Sequence, residues 1–555
     1  MRRMLLVVLE TALLFIPLLS NPCQGQVTER VNLTSTGSET QAGTFSANPS
    51  LSYDGRYVAY DSNDSSLVLN DMNQRSDVFV HDRQTGYVTR VSVTSQGTEA
   101  TGSSTHPKLS GDGRFVMFQS FAVDLVPDDN NGSRDIFIHD RDADGNGVFD
   151  EPQAGATATL RVSLASSGAE ADAGAGFDFC SPESMSSDGR FVVFSSLSSN
   201  LDNGSNGFIQ TYVRDVHLGT TVLVSKNSPG ATGNSYSEYP DISDDGRHVV
   251  FHSDANNLVP DDTNGTLDVF VHDRDIDGNG VFDEPDGTRT LRVSVGTLGE
   301  EGNDYSDVAS VSSDGRFVVF CSSASNLASG DSNGKVDVFL RDRDPDEDGV
   351  FDEADAVETT LISSGIDGCP SDGDSCFPRL SDDARFLSFR STATNLVSDD
   401  TNGHADVFLY DRLFKSTVRV SVSSTLLEAN APSCGLQSCS ISGNGKLVGF
   451  GSDADNLVAN DQNMTADIFV HDVILRCAAG TVGVGVGPPQ DVLTVNGSTG
   501  NDDRVVTVPV GGPIGVTLNP APNGPVGGYI LWVWAGSPRD GVPMVFLPKI
   551  LEPVC

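Results

Sequence analysis

One short turn recurs seven times along the 555 residues, as Asp54-Gly55-Arg56, Asp112-Gly113-Arg114, Asp188-Gly189-Arg190, Asp245-Gly246-Arg247, Asp314-Gly315-Arg316, Asp383-Ala384-Arg385 and Asn444-Gly445-Lys446. Asp-Gly or Asn-Gly between strands supplies the positive-φ geometry of a tight hairpin. Each copy therefore joins a short first strand, such as Pro240-Asp241-Ile242-Ser243, to an apolar second strand, such as Phe317-Val318-Val319-Phe320. A polar loop leads to a third strand, seen at Asp77 to Asp82, Asp135 to Asp140, Asp268 to Asp273 and Asp467 to Asp472. A fourth follows at Arg90 to Val93, Arg292 to Val295 and Arg419 to Val422. Four antiparallel strands in a unit of roughly 55 to 75 residues are the blade of a propeller. The second and third strands are apolar at consecutive positions, which suits sheets covered on both faces by neighbouring blades.

The ends of the repeat predict how the ring closes. Arg30-Val31-Asn32-Leu33 has the fourth-strand pattern but precedes the first complete unit, and the last unit leaves the pattern after Asp472. An N-terminal strand that completes the seventh blade would remove two exposed sheet edges. The fold class expected is all-β: a seven-bladed β-propeller over residues 26–473, closed by that strand, followed by a small C-terminal β-domain over 474–555. The latter is rich in Gly, Pro and Val and carries both tryptophans, Trp532 and Trp534.

Units of the form S-x-D-G-R-x-V-x-F-x-S, then N-L-V, D-x-N-G and D-V-F-V-x-D, resemble the propeller repeats of the TolB family and related secreted proteins over residues 27–473. The resemblance implies the fold more firmly than a function, because such propellers serve as interaction platforms, as accessory domains of peptidases or as lyase scaffolds. The chain departs from TolB in lacking an α/β domain ahead of the propeller.

A formal charge of -43, from 77 acidic and 34 basic residues, disfavours nucleic acid and anionic lipid as partners and suits divalent cations. Arg2 and Arg3 followed by the apolar run Met4 to Leu19 read as a signal peptide over residues 1–25, with a retained membrane anchor as the competing reading. No later segment is long and apolar enough to span a membrane. The expected location is secreted, periplasmic or cell-surface. Of the nine cysteines, Cys23 would leave with the leader. The expected pairs are Cys369 with Cys376, Cys434 with Cys439 and Cys477 with Cys555, leaving Cys180 and Cys321 over.

Three blades carry an insertion between the third and fourth strands that resembles an EF-hand loop, at Asp142 to Gln153, Asp275 to Asp286 and Asp344 to Asp355. Oxygen ligands stand at positions one, three and five (Asp142, Asp144, Asn146; Asp275, Asp277, Asn279; Asp344, Asp346, Asp348), with glycine at six. Position seven offers the carbonyl of Val148, Val281 or Val350, and position nine is Asp150, Asp283 or Asp352. Position twelve, normally a bidentate Glu, is Gln153, Asp286 or Asp355, so calcium is the expected ion, at an affinity on the order of 0.1 to 1 mM.

A second pattern, Asp-x-Asn-x-x-x-Asp, precedes the third strand in six blades, from Asp71/Asn73/Asp77 to Asp461/Asn463/Asp467, and reads as an Asx-turn or as a further ion site. His81, His139, His272 and His471 share one slot of the repeat and read as scaffold. No nucleophile elbow or zinc helix is present. The function expected is a non-catalytic calcium-binding platform for a protein or polysaccharide. The alternative is a calcium-assisted polysaccharide lyase or other enzyme using the channel, with His248 and His252 as weak candidates.

Overall fold

The computed structural model describes residues 26–473, apart from 177–183, 203, 205, 354, 367 and 436–438, together with three short strands nearer the C-terminus. The leader, Cys23, Cys180, Cys477, Cys555 and both tryptophans lie outside the described residues. Val27–Val473 is one compact unit. It contains seven four-stranded antiparallel sheets and, among the described residues, no helix. No described helix is therefore long and apolar enough to cross a membrane. Beyond it, Val492–Val495 pairs with Ser498–Gly500 and with Val516–Asn519 in a separate three-stranded sheet.

Six blades run in chain order, and the seventh is shared between the termini. Its first three strands are Ser440–Ile441, Leu447–Ser452 and Asp467–Asp472, and the fourth is Thr28–Arg30. Thr28 stands opposite His471, Glu29 opposite Val470 and Arg30 opposite Phe469, and the Val31 N–H donates to the Ile468 carbonyl at 2.9 Å. The paired segment begins two residues before the expected Arg30 to Leu33, and Leu33 instead bridges to Glu39. The same shift runs through the repeat: the fourth strands are Tyr87–Arg90, Arg289–Arg292 and Ser416–Arg419, each ending at the arginine where the sequence suggested a beginning. The cause is a serine. In blade 1 the Ser92 hydroxyl accepts the Val78 N–H at 3.1 Å and donates to Asp77, so a side chain replaces the carbonyl that would have extended the ladder.

Every blade stacks one aromatic of its second strand on one of its third. Tyr60 with Phe79, Phe118 with Phe137 and Phe450 with Phe469 are cross-strand partners with ring centroids 5.9 to 6.0 Å apart. These rings are fully buried, and such pairs add about 0.5 to 1.5 kcal/mol beyond the area they bury. The hairpin glycine explains why the turn recurs. Gly113 has φ 75, a conformation costly for other residues, and a Cβ there would collide with the Tyr57 ring of the preceding blade. Gly55 likewise lies against Leu447, across the closure between blades 1 and 7. At one end of the axis, backbone hydrogen bonds pass from blade to blade: Tyr53 N–H to Gly111 O, Gly111 N–H to Ser187 O, Ser313 N–H to Asp382 O, Asp382 N–H to Gly443 O and Asn444 N–H to Tyr53 O.

The cysteines correct one expectation. Cys434 does pair with Cys439, but Cys376 pairs with Cys321, with Cα atoms 5.3 Å apart, and Cys369 is free and exposed. Cys321 is the last residue but one of the second strand of blade 5 and Cys376 the second of the first strand of blade 6, so blade packing brings together residues 55 apart in sequence. Closing a loop of that size stabilises by about 4 kcal/mol in the chain-entropy description. Cys321→Ser should accordingly lower Tm by several degrees in oxidising buffer, and Cys369→Ser should leave it unchanged, as read by thermal unfolding. Val31, 1% exposed, packs with Leu51, Val58, Leu447, Ile468 and Val470 at the closure. Val31→Asp should cost about 3 to 5 kcal/mol and raise hydrogen exchange of residues 467–472 above that of the other third strands.

Candidate functional site

Each insertion is built around its first aspartate. Asp142 is buried, and its two carboxylate oxygens accept the backbone N–H groups of Asn146 at 2.9 Å and Gly147 at 3.0 Å, curling the chain through Gly145 and Gly147 at positive φ. Asp275 does the same for Asn279 (3.1 Å) and Gly280 (2.8 Å), and Asp344 for Asp348 (3.1 Å) and Gly349 (3.0 Å). Position five closes a second turn, with Asn146 Oδ1 accepting the Val148 N–H at 2.7 Å. Asp144, Asp277 and Asp346 at position three are exposed. In the third loop one carboxylate oxygen each from Asp344, Asp346 and Asp348 lie within 4.8 Å of one another. Asp346 is held above its ordinary pKa by desolvation, by its hydrogen bond with Asp344 and by the Asp348 charge. In the first two loops the side chains also lie close together: Asn146 and Asn279 donate to Asp144 and Asp277 at 3.1 Å and to Glu151 and Glu284 at 2.5 and 2.7 Å.

The other positions have different surroundings. Asp150, Asp283 and Asp352 each take a two-pronged ion pair from the arginine just ahead of the loop, Arg141, Arg274 and Arg343, at 2.5 to 2.6 Å for the shortest contact. Those arginines are buried, and each also donates to a hairpin-glycine carbonyl, Gly113, Gly246 or Gly315. Val148, Val281 and Val350 are exposed, and Asp286 and Asp355 stand at positive φ. The Phe at position eight anchors each loop on the preceding blade: Phe149 on Tyr57 (5.5 Å), Phe282 on Phe191 (5.4 Å) and Phe351 on His248 (5.4 Å). The insertions therefore bridge neighbouring blades as well as presenting carboxylates.

The Asp-x-Asn-x-x-x-Asp groups surround arginines. Arg90 Nη1 lies 2.6 Å from Glu99, 3.5 Å from Asp71 and 3.6 Å from Asp77, and Arg161, Arg292, Arg419 and Arg30 repeat the arrangement in blades 2, 4, 6 and 7. The triads Asp71/Asp77/Glu99, Asp129/Asp135/Glu170 and Asp262/Asp268/Glu301 are close enough to grip a metal, but a guanidinium already occupies each. Burial, and then the second aspartate, push Asp71, Asp129, Asp262, Asp400 and Asp461 up to about 6. The asparagine also forms the expected Asx-turn, with Asn73 Oδ1 accepting the Arg75 N–H at 2.7 Å.

The axial channel holds charged residues that motif reading missed. Equivalent first-strand positions are Ser50, Lys108, Ser184, Asp241, Ser310, Arg379 and Ser440, so only blades 2, 4 and 6 carry a charge there. Aligning the seven first strands would have exposed the trio. Ser184 and Ser310 donate to the two oxygens of Asp241 at 2.6 and 2.8 Å, tying blade 4 to both neighbours. Burial draws Lys108 and Arg379 below their ordinary pKa values, and Asp241 opposes the shift in both. Asp244, one turn further along, is pushed up to about 6 by burial and then by Asp382.

His248 and His252 do not join this trio. His248 is buried between Phe351 and Gly315, 3.7 Å from Asp273, and His252 packs on Tyr239 with ring centroids 4.7 Å apart. Burial holds His248 well below its ordinary value and His252 at about 3. His139 and His471, like His252, are neutral inside the sheets, at about 4. A histidine depressed by folding contributes stability above its unfolded pKa of about 6.5, and that stability is lost as pH falls toward the folded value. Any deficit of His252→Gln relative to the natural chain should therefore shrink between pH 7 and pH 4, as read by urea unfolding.

No protein-family model matches the sequence, and no curated protein matches it. Solved structures similar to this chain include an oligogalacturonate lyase in complex with manganese, at 12% identity over 81% of this chain and 98% of that one, with a TM-score of 0.44. A putative TolB from Agrobacterium tumefaciens is similar at 15% identity over 72% and 99%, with a TM-score of 0.34. An acylaminoacyl peptidase in complex with Z-Gly-Gly-Phe-chloromethyl ketone is similar at 11% over 78% and 52%, with a TM-score of 0.42. These likenesses concern the fold alone, and the seven-bladed assignment stands on the strand pairing.

Proposed function

We propose that the chain is an exported, non-catalytic, calcium-binding propeller that presents a face to a protein or polysaccharide. The observation that carries the reading is the repeated loop in which a buried aspartate curls the backbone by accepting two N–H groups while further oxygen groups stand exposed beside it. Such a loop is already shaped before an ion arrives, which reduces the ordering cost of binding. Calcium suits it because every side-chain donor is a hard oxygen and the glycine at position six permits the sharp turn. Export is supported by the basic-then-apolar leader, the disulfides and the acidic surface. The wide face and the blade-bridging loops favour a macromolecular ligand held by shape over one swallowed in a deep pocket.

The test changes exposed ligands, since Asp142, Asp275 and Asp344 also hold their loops together. The combined variant Asp144→Asn, Asp277→Asn and Asp346→Asn should fold normally in chelator and lose up to three calcium ions in equilibrium dialysis at physiological salt. Its calcium-induced rise in Tm should shrink with them. Unchanged calcium uptake would remove the loops from the proposal.

The channel trio supports a second reading, in which the propeller is an enzyme acting on an anionic polysaccharide. Lys108 and Arg379 would then hold the substrate carboxylates. An unsaturated product released from such a polysaccharide, and lost in Lys108→Ala, would favour that reading over the first.

A further inference from the structure

Blades 3 and 5 both lack the fourth-strand arginine that the other five blades share. Leu223 stands opposite Tyr212 and Leu361 opposite Phe339, the register position that Arg90 takes opposite Phe79. In blade 3 the three acidic repeat positions it served have changed as well, although Asp202 remains nearby and accepts the Leu223 N–H at 2.9 Å. Gly204 and Gln210 replace the two aspartates, and Thr232, bridged to Lys226 as Glu99 is to Val93, replaces the glutamate. The Gln210 amide satisfies the space with neutral bonds to Asn206 Oδ1 (3.2 Å), Gly233 O (3.2 Å) and Ser235 O (3.0 Å).

Blade 5 is different, because it has lost the cation and kept the buried anions. Pro370 takes the glutamate position, while Asp331 and Asp337 remain. Asp337 is fully buried and keeps neutral donors: Asn333 Nδ2 at 2.7 Å on one oxygen, and Ser363 Oγ at 2.6 Å and Ser371 Oγ at 3.0 Å on the other. Asp331 is 9% exposed, and its Oδ1 has no hydrogen-bond partner. The equivalent Oδ1 atoms of Asp71, Asp129, Asp262, Asp400 and Asp461 each face an arginine Nη1 at 3.1 to 3.7 Å. Five sister blades thus show that this atom is aimed at a cation seat. In blade 5 Leu361 packs against the hydrophobic core and brings no donor, and Lys335, the nearest lysine in sequence, makes no ion pair with either aspartate among the described residues.

We infer that blade 5 binds a divalent cation of the calcium class in the seat an arginine fills elsewhere, with Asp331 and Asp337 as its carboxylate ligands. The polar side chains on these carboxylates are the Ser363 and Ser371 hydroxyls and the Asn333 amide, with no thiol or imidazole among them, so the ligand atoms on offer are hard oxygens. Two buried carboxylates without a counter-charge are costly, and a cation between them offsets that cost as the guanidinium does in the sister sites. The site is separate from the three loops and stands or falls independently of them.

The test is a difference in stoichiometry. Calcium bound by the full chain is measured by equilibrium dialysis at physiological salt after EDTA treatment, for the natural chain, for Leu361→Arg and for Asp331→Asn. Each variant should bind one ion fewer than the natural chain, whatever number the loops hold. Leu361→Arg should also have the higher Tm of the three in EDTA, since it returns the missing positive charge. Equal calcium uptake by the natural chain and Asp331→Asn overturns the site even if Leu361→Arg fails to fold. Loss of one ion in both variants, with none bound by the loops, would sustain this site while removing the loop proposal.

Discussion

The antiparallel pairing of Thr28–Arg30 with Phe469–His471 is the contact on which the ring depends. A propeller has no central core; each blade buries its two faces against its neighbours, so an unclosed seventh blade would leave unpaired strand edges and apolar surface on either side of the gap. The closure is correspondingly reinforced. Asn32 donates to Asp467 and accepts the Ile468 N–H at 2.9 Å, Arg30 reaches both Asp467 and Asp461, and Thr28 hydrogen-bonds His471 at 2.8 Å. Arg30 and Asn32 here take the parts that Arg90 and Ser92 take in blade 1, supplied from the opposite end of the chain.

The remaining interfaces reuse a few devices, and their exceptions are informative. A hairpin glycine lets the adjacent aromatic lie against the turn, and the arginine after it grips the aspartate that ends the third strand, as Arg114 grips Asp140 at 2.7 Å. Three blades add an insertion whose Phe reaches across to the neighbour, and Arg141 and Arg274 lie over the neighbour's ring as well. Between blades 5 and 6, where the arginine cluster is missing, a disulfide joins the sheets. In five blades an arginine sits among these carboxylates, and blade 5 is where two buried aspartates stand without it.

The number of blades and the shared seventh blade were legible because local signals recur: a turn, two apolar strands and a polar loop in a fixed order. What was less legible depends on neighbours in space. Cys321 and Cys376 meet because consecutive blades are in register, which no short spacing announces, whereas Cys434 and Cys439 lie five residues apart. The strand around Arg90 was placed late because Ser92 imitates a backbone acceptor. Asp150 fits a ligand position by spacing, yet Arg141, one residue before the loop, holds its carboxylate. Lys108, Asp241 and Arg379 carry no motif; they stand out only against the serines at the same position of the other blades.

The two halves of the last blade are separated by 443 residues between Thr28 and His471. During synthesis the strand Thr28–Arg30 has nowhere to dock until almost the whole propeller has emerged. Earlier blades can assemble pairwise in the meantime, but the growing arc exposes sticky borders at both ends, and long-range pairing of this kind is slow. The polar, densely acidic exterior then has a kinetic use: like-charged arcs repel one another, which discourages two unfinished molecules from completing each other's seventh blade.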